Sequence, residues 1–138
     1  VQDKIADSWI EMEQFRLLVL RTAWRIDQYN DYMKVRKDIA AIKALMPKVY
    51  HDIVSRSLQI HGSLGVSNEL PLTGMLIGSF VMGIADGPTE VHKVTVAKQV
   101  LRDYEGSEDL FPYYSLPNLQ ADAIAQFGDQ IERDVERW

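Results

Sequence analysis

A carboxylate in a tight turn is the first candidate for chemistry in this sequence of 138 residues. Asp86 is followed by Gly87 and Pro88, a combination typical of turns. Thr89 and Glu90 then open an apolar repeat typical of a helix. The first turn of a helix has free N–H groups and a positive dipole end, so an oxyanion could be held there beside Asp86. Spacing alone favours the simpler interpretation that Asp86 only caps the helix.

A second candidate lies where an apolar helical repeat ends in small residues. The segment reads Gln59, Ile60, His61, Gly62, Ser63, Leu64 and Gly65. Its glycines would let a phosphate-bearing ligand approach the backbone closely. An ordinary glycine helix end explains the same pattern and is favoured by it. The spacing differs from the dinucleotide-binding fingerprint, and no strand precedes the segment.

Other kinds of catalytic site find little support. The three histidines, His51, His61 and His92, are too scattered to predict a metal site, and we expect none. We place His51 on a helix surface. The sequence has no cysteine, which excludes disulfides, thiolate nucleophiles and cysteine metal sites. No Ser, His and Asp residues stand in a hydrolase arrangement.

The elements that must position these residues are predicted to be helical. Apolar residues recur every three or four positions, and strand-like alternation is missing. Three predicted helices are Ile5–Asp27, Pro71–Gly83 and Ala121–Trp138. Another is capped by Asn30 or Asp31 and continues to Leu58 with a kink at Pro47. The last is capped by Asp86 or Thr89 and ends near Tyr104. The aromatic residues Trp9, Trp24, Tyr29 and Tyr32 are expected in the core. The fold class is therefore all-α, a four-helix up-and-down bundle with an extra C-terminal helix.

Composition narrows the possible partners. Lys and Arg number 15 against 20 Asp and Glu, giving a formal charge of −5. This balance argues against nucleic acid and anionic membranes as partners. The longest apolar stretch, Leu70 to Ala85, is too short to cross a bilayer, which takes roughly 20 residues. We expect one bundle over residues 1–104 and an acidic loop and helix over 105–138, in a chain whose start at Val1 suggests a processed or truncated product.

Taken in order, the two candidate segments resemble the C-terminal domain of the acyl-CoA dehydrogenase family. That family has a helix ending in Gln-x-x-Gly-Gly-x-Gly, then a helix led by proline, then a Glu-Gly-Thr turn that opens the last helix. The corresponding residues here are Gln59 to Gly65, Leu70-Pro71-Leu72 and Asp86 to Thr89. The similarity runs from about Ile5 to Tyr104, and the acidic tail lies outside it.

The resemblance implies an FAD enzyme that removes a proton from Cα and a hydride from Cβ of an acyl-CoA. Asp86 would then be the catalytic base, and Gly87 would line the substrate thioester. Pro88, Thr89 and Glu90 would lie along the flavin. Gln59, Ile60, His61, Gly62 and Ser63 would reach the ADP half of an FAD held mainly by a neighbouring subunit.

The implied partners are other acyl-CoA dehydrogenase domains or subunits and an electron-transfer flavoprotein. A homo-oligomer, dimer or tetramer, is expected, working in fatty acid metabolism in the cytoplasm, or in the mitochondrial matrix of a eukaryote. The family also has an N-terminal helical domain and a central β-domain, which this sequence lacks. We therefore expect the isolated chain neither to hold FAD tightly nor to turn over substrate.

Departures from the family pattern suggest a particular subgroup. Asp86 replaces the usual Glu and is shorter by one methylene, about 1.5 Å. Ser63 and Pro88 replace a usual Gly and Thr, and Ile77-Gly78 replaces Arg-Asp. These departures weaken an assignment to the common straight-chain dehydrogenases. Ala85-Asp86-Gly87-Pro88 followed by Glu90-Val91-His92, together with Pro47, resembles the subgroup for hydroxylated or otherwise unusual acyl-CoAs. Two alternatives stay open: a flavin oxidase or monooxygenase of the same fold, and a non-catalytic helical assembly module in which Asp86 is a cap.

Overall fold

The computed structural model describes residues 1–106 and 115–135, the side chains of 129 and 131–135 excepted. All regular secondary structure in these residues is helical, which confirms the predicted all-α class. The α-helices are α1 (Gln2–Tyr29), α2 (Tyr32–His61), α3 (Leu72–Ile84), α4 (Thr89–Leu101) and α5 (Leu116–Val135), and a 3₁₀ turn spans Gly62–Leu64. None of the helices in this part of the chain is long and apolar enough to cross a membrane.

The chain forms two compact units, Val1–Asp103 and Tyr104–Trp138. The second unit contains α5, which begins at Leu116, so the predicted start at Ala121 was wrong. Pro117 explains the difference, because a proline in the first turn removes only an N–H that would have no helical partner. The predicted end of this helix at Trp138 lies outside the described residues.

Helix α2 is the platform of the first unit, because α1, α3 and α4 all pack against it. Its N-terminus is capped by Asp31, whose carboxylate accepts a hydrogen bond from the Met33 N–H at 2.9 Å. Asn30 instead ends α1 in the left-handed conformation, with φ 43°. The helix continues through Pro47, as its apolar period predicts. Gly83 of α3 lies against this proline: a Cβ added there would be 3.7 Å from the Pro47 Cβ.

Two charged clusters join α1 to α2. Asp38 is 2% exposed and forms ion pairs with Arg21 and Arg25 of α1. Arg56 donates two hydrogen bonds to the Glu11 carboxylate, at 2.7 and 2.8 Å. A carboxylate buried as deeply as Asp38 is tolerated only when such partners offset its lost hydration. These pairs therefore set how α1 lies along α2.

The apolar core of the first unit is small. Its buried apolar side chains are Val35, Ala40 and Val54, all on α2. The expectation that the aromatic residues lie in the core was wrong: Trp9 and Trp24 of α1 are 61% and 60% exposed, and Tyr29 and Tyr32 are exposed too. Periodicity identifies an apolar face, but the contact of α1 with α2 leaves Trp9 and Trp24 uncovered. Helices α1 to α4 thus leave much of the apolar surface of the first unit uncovered.

A glycine after the 3₁₀ turn gives a stability prediction. Gly65 is buried, and a Cβ there would lie 2.6 Å from the Leu58 carbonyl oxygen. Gly65→Ala should therefore lower the free energy of unfolding by about 1–3 kcal/mol, since backbone must shift to admit the methyl group. Gly74→Ala is the matched control, because the space around Gly74 is open and alanine favours a helix. Equal melting temperatures of the two variants would contradict this.

The Glu11–Arg56 pair gives a pH prediction. The hydrogen bonds from Arg56 hold the pKa of Glu11 below its ordinary value of 4.5. A depressed carboxyl pKa stabilises the fold above that ordinary value, and the stabilisation is lost as the pH falls through the folded-state pKa. Glu11→Gln should cost about 0.5–1 kcal/mol at neutral pH and almost nothing in acid.

Denaturant unfolding measured from acid to neutral pH checks this expectation. Glu13→Gln serves as the control, since within the described part of the chain Glu13 pairs only with the exposed Arg16 on its own helix. A cost for Glu11→Gln that does not change with pH would show that the charge of Glu11 is unimportant.

Candidate functional site

The turn between α3 and α4 has an unusual backbone. Asp86 and Gly87 both have positive φ angles, 53° and 100°. Pro88 follows with φ −59° and ψ 148°, and α4 begins at Thr89. A non-glycine residue with positive φ is uncommon and costs free energy, although aspartate tolerates it better than most. The chain around Asp86 therefore has to hold it in this conformation.

Asp86 and Thr89 do not cap α4, so that prediction was wrong for both. The N-cap residue is Pro88, and no side chain makes a capping hydrogen bond. Asp86 precedes this N-cap residue by two positions. Thr89 lies inside the helix, and its hydroxyl donates to the Gly83 carbonyl at 3.2 Å.

The Asp86 carboxylate is exposed, and within the described residues it makes no hydrogen bond or ion pair. The first hydrogen bonds of α4 run from the Val91 and His92 N–H groups to the Pro88 carbonyl, at 3.0 and 3.4 Å. The N–H groups of Thr89 and Glu90 precede these bonds and face the helix end. An unpaired carboxylate thus stands next to a helix N-terminus that can hold a negatively charged or carbonyl oxygen.

An apolar cleft of about 1120 Å³ lies in the first unit, and Thr89 and Glu90 are on its wall. Gly83 and Ile84, just before the Asp86 turn, also line it, although Asp86 itself does not. Its wall consists of Leu18, Ala41, Ala44, Leu45, Pro47, Lys48, His51, Ser79, Phe80, Gly83, Ile84, Thr89, Glu90, Lys93, Val96, Ala97, Val100 and Leu101. A cleft this large, mostly apolar and with a few polar groups, is typical of a small-molecule site.

His51 lies on the surface of α2, as predicted, and there it also forms part of the cleft wall. Its Nδ1 lies 3.0 Å from the Asp52 carboxylate, and its ring meets the Phe80 ring edge to face at 5.4 Å. Hydrogen bonds from Lys48 and then from His51 lower the pKa of Asp52, so this carboxylate is ionised at neutral pH. Spacing could have revealed the residue, because His51 follows Pro47 by one helical turn and shares its face of α2.

The second predicted segment lies elsewhere. Gln59, Ile60, His61 and Ser63 are exposed at the C-terminus of α2, and Gly62 ends that helix with φ 58°. Pro47, which marks the level of the Asp86 turn, is twelve residues earlier in α2, or about 18 Å along the helix axis. The residues Gln59 to Ser63 do not lie on the cleft wall, and neither does Gly65. The structure does not bring the two segments together within one chain.

The described side chains include no group of three or more His, Asp or Glu residues that could hold a metal ion.

Comparison with known proteins identifies the first unit. A family model described as "Acyl-CoA dehydrogenase, C-terminal domain" matches residues 1–101. The chain is 42% identical over 101 residues to the probable acyl-CoA dehydrogenase FadE2 of Mycobacterium tuberculosis, covering 73% of this chain and 25% of that protein. It is 34% identical over 103 residues to the (R)-benzylsuccinyl-CoA dehydrogenase of Thauera aromatica, covering 75% and 25%.

A solved structure agrees with these relatives. The structure of a putative acyl-CoA dehydrogenase from Mycobacterium abscessus superposes with a TM-score of 0.72 at 36% identity, over 75% of this chain and 25% of that one. The chain thus spans about a quarter of the length of these relatives. The family model, the sequence identity and the shared helical fold agree that this chain belongs to the acyl-CoA dehydrogenase family and contains its C-terminal domain.

Proposed function

We propose that this chain is the C-terminal domain of an FAD-dependent acyl-CoA dehydrogenase, in which the Asp86 carboxylate removes the α-proton of the acyl thioester. The observation that carries the proposal is the exposed, unpaired Asp86 carboxylate in a strained turn at the N-terminus of α4. FAD, when bound, supplies the acceptor for the hydride that leaves Cβ. Family membership supports this reaction class.

The turn provides what a general base for a carbon acid needs. The carboxylate must be ionised and unobstructed, and no hydrogen bond from the described residues competes for the proton. Gly87 has no side chain, so a thioester could lie against its backbone. The α-proton leaves only if the thioester carbonyl is polarised, which oriented N–H groups can do.

The residues present also fit the flavin. The cleft is mostly apolar, and the N–H groups of Thr89 and Glu90 on its wall could donate to a polar ring edge. We propose that Pro88, Thr89 and Glu90 contact the flavin on this side. The exposed segment Gln59–Ser63, about 18 Å along α2 from the Pro47 level, would contact the ADP half of a second FAD.

We propose that the Gln59–Ser63 segment serves the active site of another subunit, in a homo-oligomer, a dimer or tetramer. The exposed apolar side chains of α1, Trp9 and Trp24 among them, supply surface for such contacts. Burial by neighbouring parts would also exclude water from the Asp86 site.

The substrate class is proposed to be an acyl-CoA with a bulky or substituted acyl group. Asp86 withdraws the carboxylate by about 1.5 Å relative to glutamate, so substrate and base must meet differently from the straight-chain enzymes. One relative, the Thauera enzyme, is named for an aromatic, substituted acyl-CoA. Electrons would pass to an electron-transfer flavoprotein or similar acceptor, in the cytoplasm or in the mitochondrial matrix.

Asp86→Asn tests the base directly. In the complete protein that contains this chain, the rate of flavin reduction by acyl-CoA should fall by about 10²–10⁴-fold, the usual contribution of a general base. The melting temperature should match that of the unmodified protein. Within the described residues, the Asp86 carboxylate makes no hydrogen bond that the asparagine amide would lose. Stopped-flow absorbance of the flavin and a thermal melt measure both.

Glu69→Gln is the matched control, since Glu69 is likewise an exposed carboxylate. Flavin reduction that survives Asp86→Asn would refute the proposal. Rapid oxygen consumption with a nitroalkane, without reduction by any acyl-CoA, would favour the oxidase alternative instead.

The chain alone should not retain flavin. Its cleft and its Gln59–Ser63 segment each cover only one side of a proposed FAD site, so binding energy from other domains is missing. After mixing with FAD and dialysis, the purified chain should show no flavin absorbance, while the complete protein keeps it. Near-stoichiometric flavin on the chain alone would contradict this expectation.

A further inference from the structure

His92 of α4 contacts the backbone of the turn that carries Asp86. Its Nε2 lies 3.2 Å from the Asp86 carbonyl oxygen. A carbonyl oxygen can only accept, so Nε2 carries the hydrogen in this contact. We propose that His92 is a positioning residue that holds the Asp86–Gly87 peptide in its strained conformation. This inference rests on the proposed role of Asp86 as the base.

The turn needs such a restraint. Two consecutive residues have positive φ, and this region is unfavourable for a residue other than glycine, such as Asp86. Pro88 has no N–H to donate, and no side chain caps α4. Thr89 ties the turn to Gly83, but its hydrogen bond bypasses the peptide between Asp86 and Gly87. Among the described residues, His92 is the side chain bonded to that peptide.

Holding the carbonyl fixes more than one atom. The Asp86 carbonyl and the Gly87 N–H belong to one planar peptide, and in a trans peptide they point in opposite directions. The structure has no cis peptide in the described residues. With the oxygen held toward His92, the Gly87 N–H is directed to the opposite side, and the direction of the Asp86 Cα–Cβ bond is restricted with it.

Gly87 and the His92 ring are matched in shape. A Cβ added at Gly87 would lie 3.1 Å from Nε2 and 3.8 Å from both Cδ2 and Cε1. Any side chain at position 87 would press on the ring as well as strain a backbone with φ 100°. The ring therefore packs on the glycine while it bonds the aspartate, and the two contacts together define the turn.

Three variants of the complete protein test the proposal. His92→Phe keeps an aromatic ring but removes the donor, and His92→Gln returns an N–H donor. Thr95→Ala is the control on the same helix, since among the residues that the structure describes the Thr95 hydroxyl bonds only the Val91 carbonyl. Each variant is measured for flavin reduction by acyl-CoA, for KM, and for hydrogen exchange of the amides of Asp86, Gly87 and Thr89 by mass spectrometry.

His92→Phe should slow flavin reduction by about 10–100-fold, the usual effect of a small misplacement of a catalytic group, with little change in KM. Exchange of the turn amides should quicken while the rest of α4 stays unchanged. His92→Gln should restore both properties toward the native values. Thr95→Ala should leave both at native values.

Three results would overturn the proposal: His92→Phe behaving like Thr95→Ala, no restoration by His92→Gln, or faster exchange throughout α4, which would indicate a merely structural role. Failure of the proposed function is seen separately, as flavin reduction that survives Asp86→Asn. The exchange data do not depend on turnover, so they still decide whether His92 holds the turn.

Discussion

The conformation of one peptide, between Asp86 and Gly87, is the constraint on which the candidate site depends. Its two residues have positive φ, a state that aspartate enters only at a cost. That conformation takes the Asp86 carboxylate away from the helix cap and leaves it without a partner in the described residues. Two side chains of α4 offset this cost through hydrogen bonds. Thr89 bonds the Gly83 carbonyl of α3, and His92 bonds the Asp86 carbonyl.

The surrounding helices position this turn more than they enclose it. Pro47 of α2 meets Gly83 of α3, and this close approach sets the level at which the turn emerges. The buried apolar side chains of the first unit all belong to α2, while large residues of α1 face outward. A general base for a carbon acid works best away from water. In the proposed reaction this domain supplies a directed carboxylate, and further protein would exclude water from the site.

Much of the fold could be predicted because helices leave a strong periodic signal. The helical class, the Asp31 cap and the passage of α2 through Pro47 follow from local rules that act within a few residues. Prediction failed where the outcome depends on a partner surface. Trp9 and Trp24 have the period of core residues, but helices α2 to α4 of the first unit do not cover them. Pro117 lies before the predicted start of α5 at Ala121, but a proline also suits the first turn of a helix.

The site shows the same division. The residues of the Asp86 turn could be singled out as candidates from their order and spacing. The structure places two of them, Thr89 and Glu90, on the cleft wall. The capping roles of Asp86 and Thr89 could not be judged from residue types, because a cap requires an extended backbone that the positive φ of Asp86 excludes. The contact of His92 with Asp86 follows from that same backbone, so no spacing rule would have predicted it.

The central claim, that Asp86 takes the α-proton, is tested most directly by isotope exchange at Cα. Acyl-CoA is incubated without oxygen in D₂O with the complete protein, and the recovered substrate is analysed by mass spectrometry. The account predicts deuterium at Cα with Asp86, a reduced amount with Asp86→Glu, and none above the uncatalysed level with Asp86→Asn. Undiminished exchange with Asp86→Asn would contradict it.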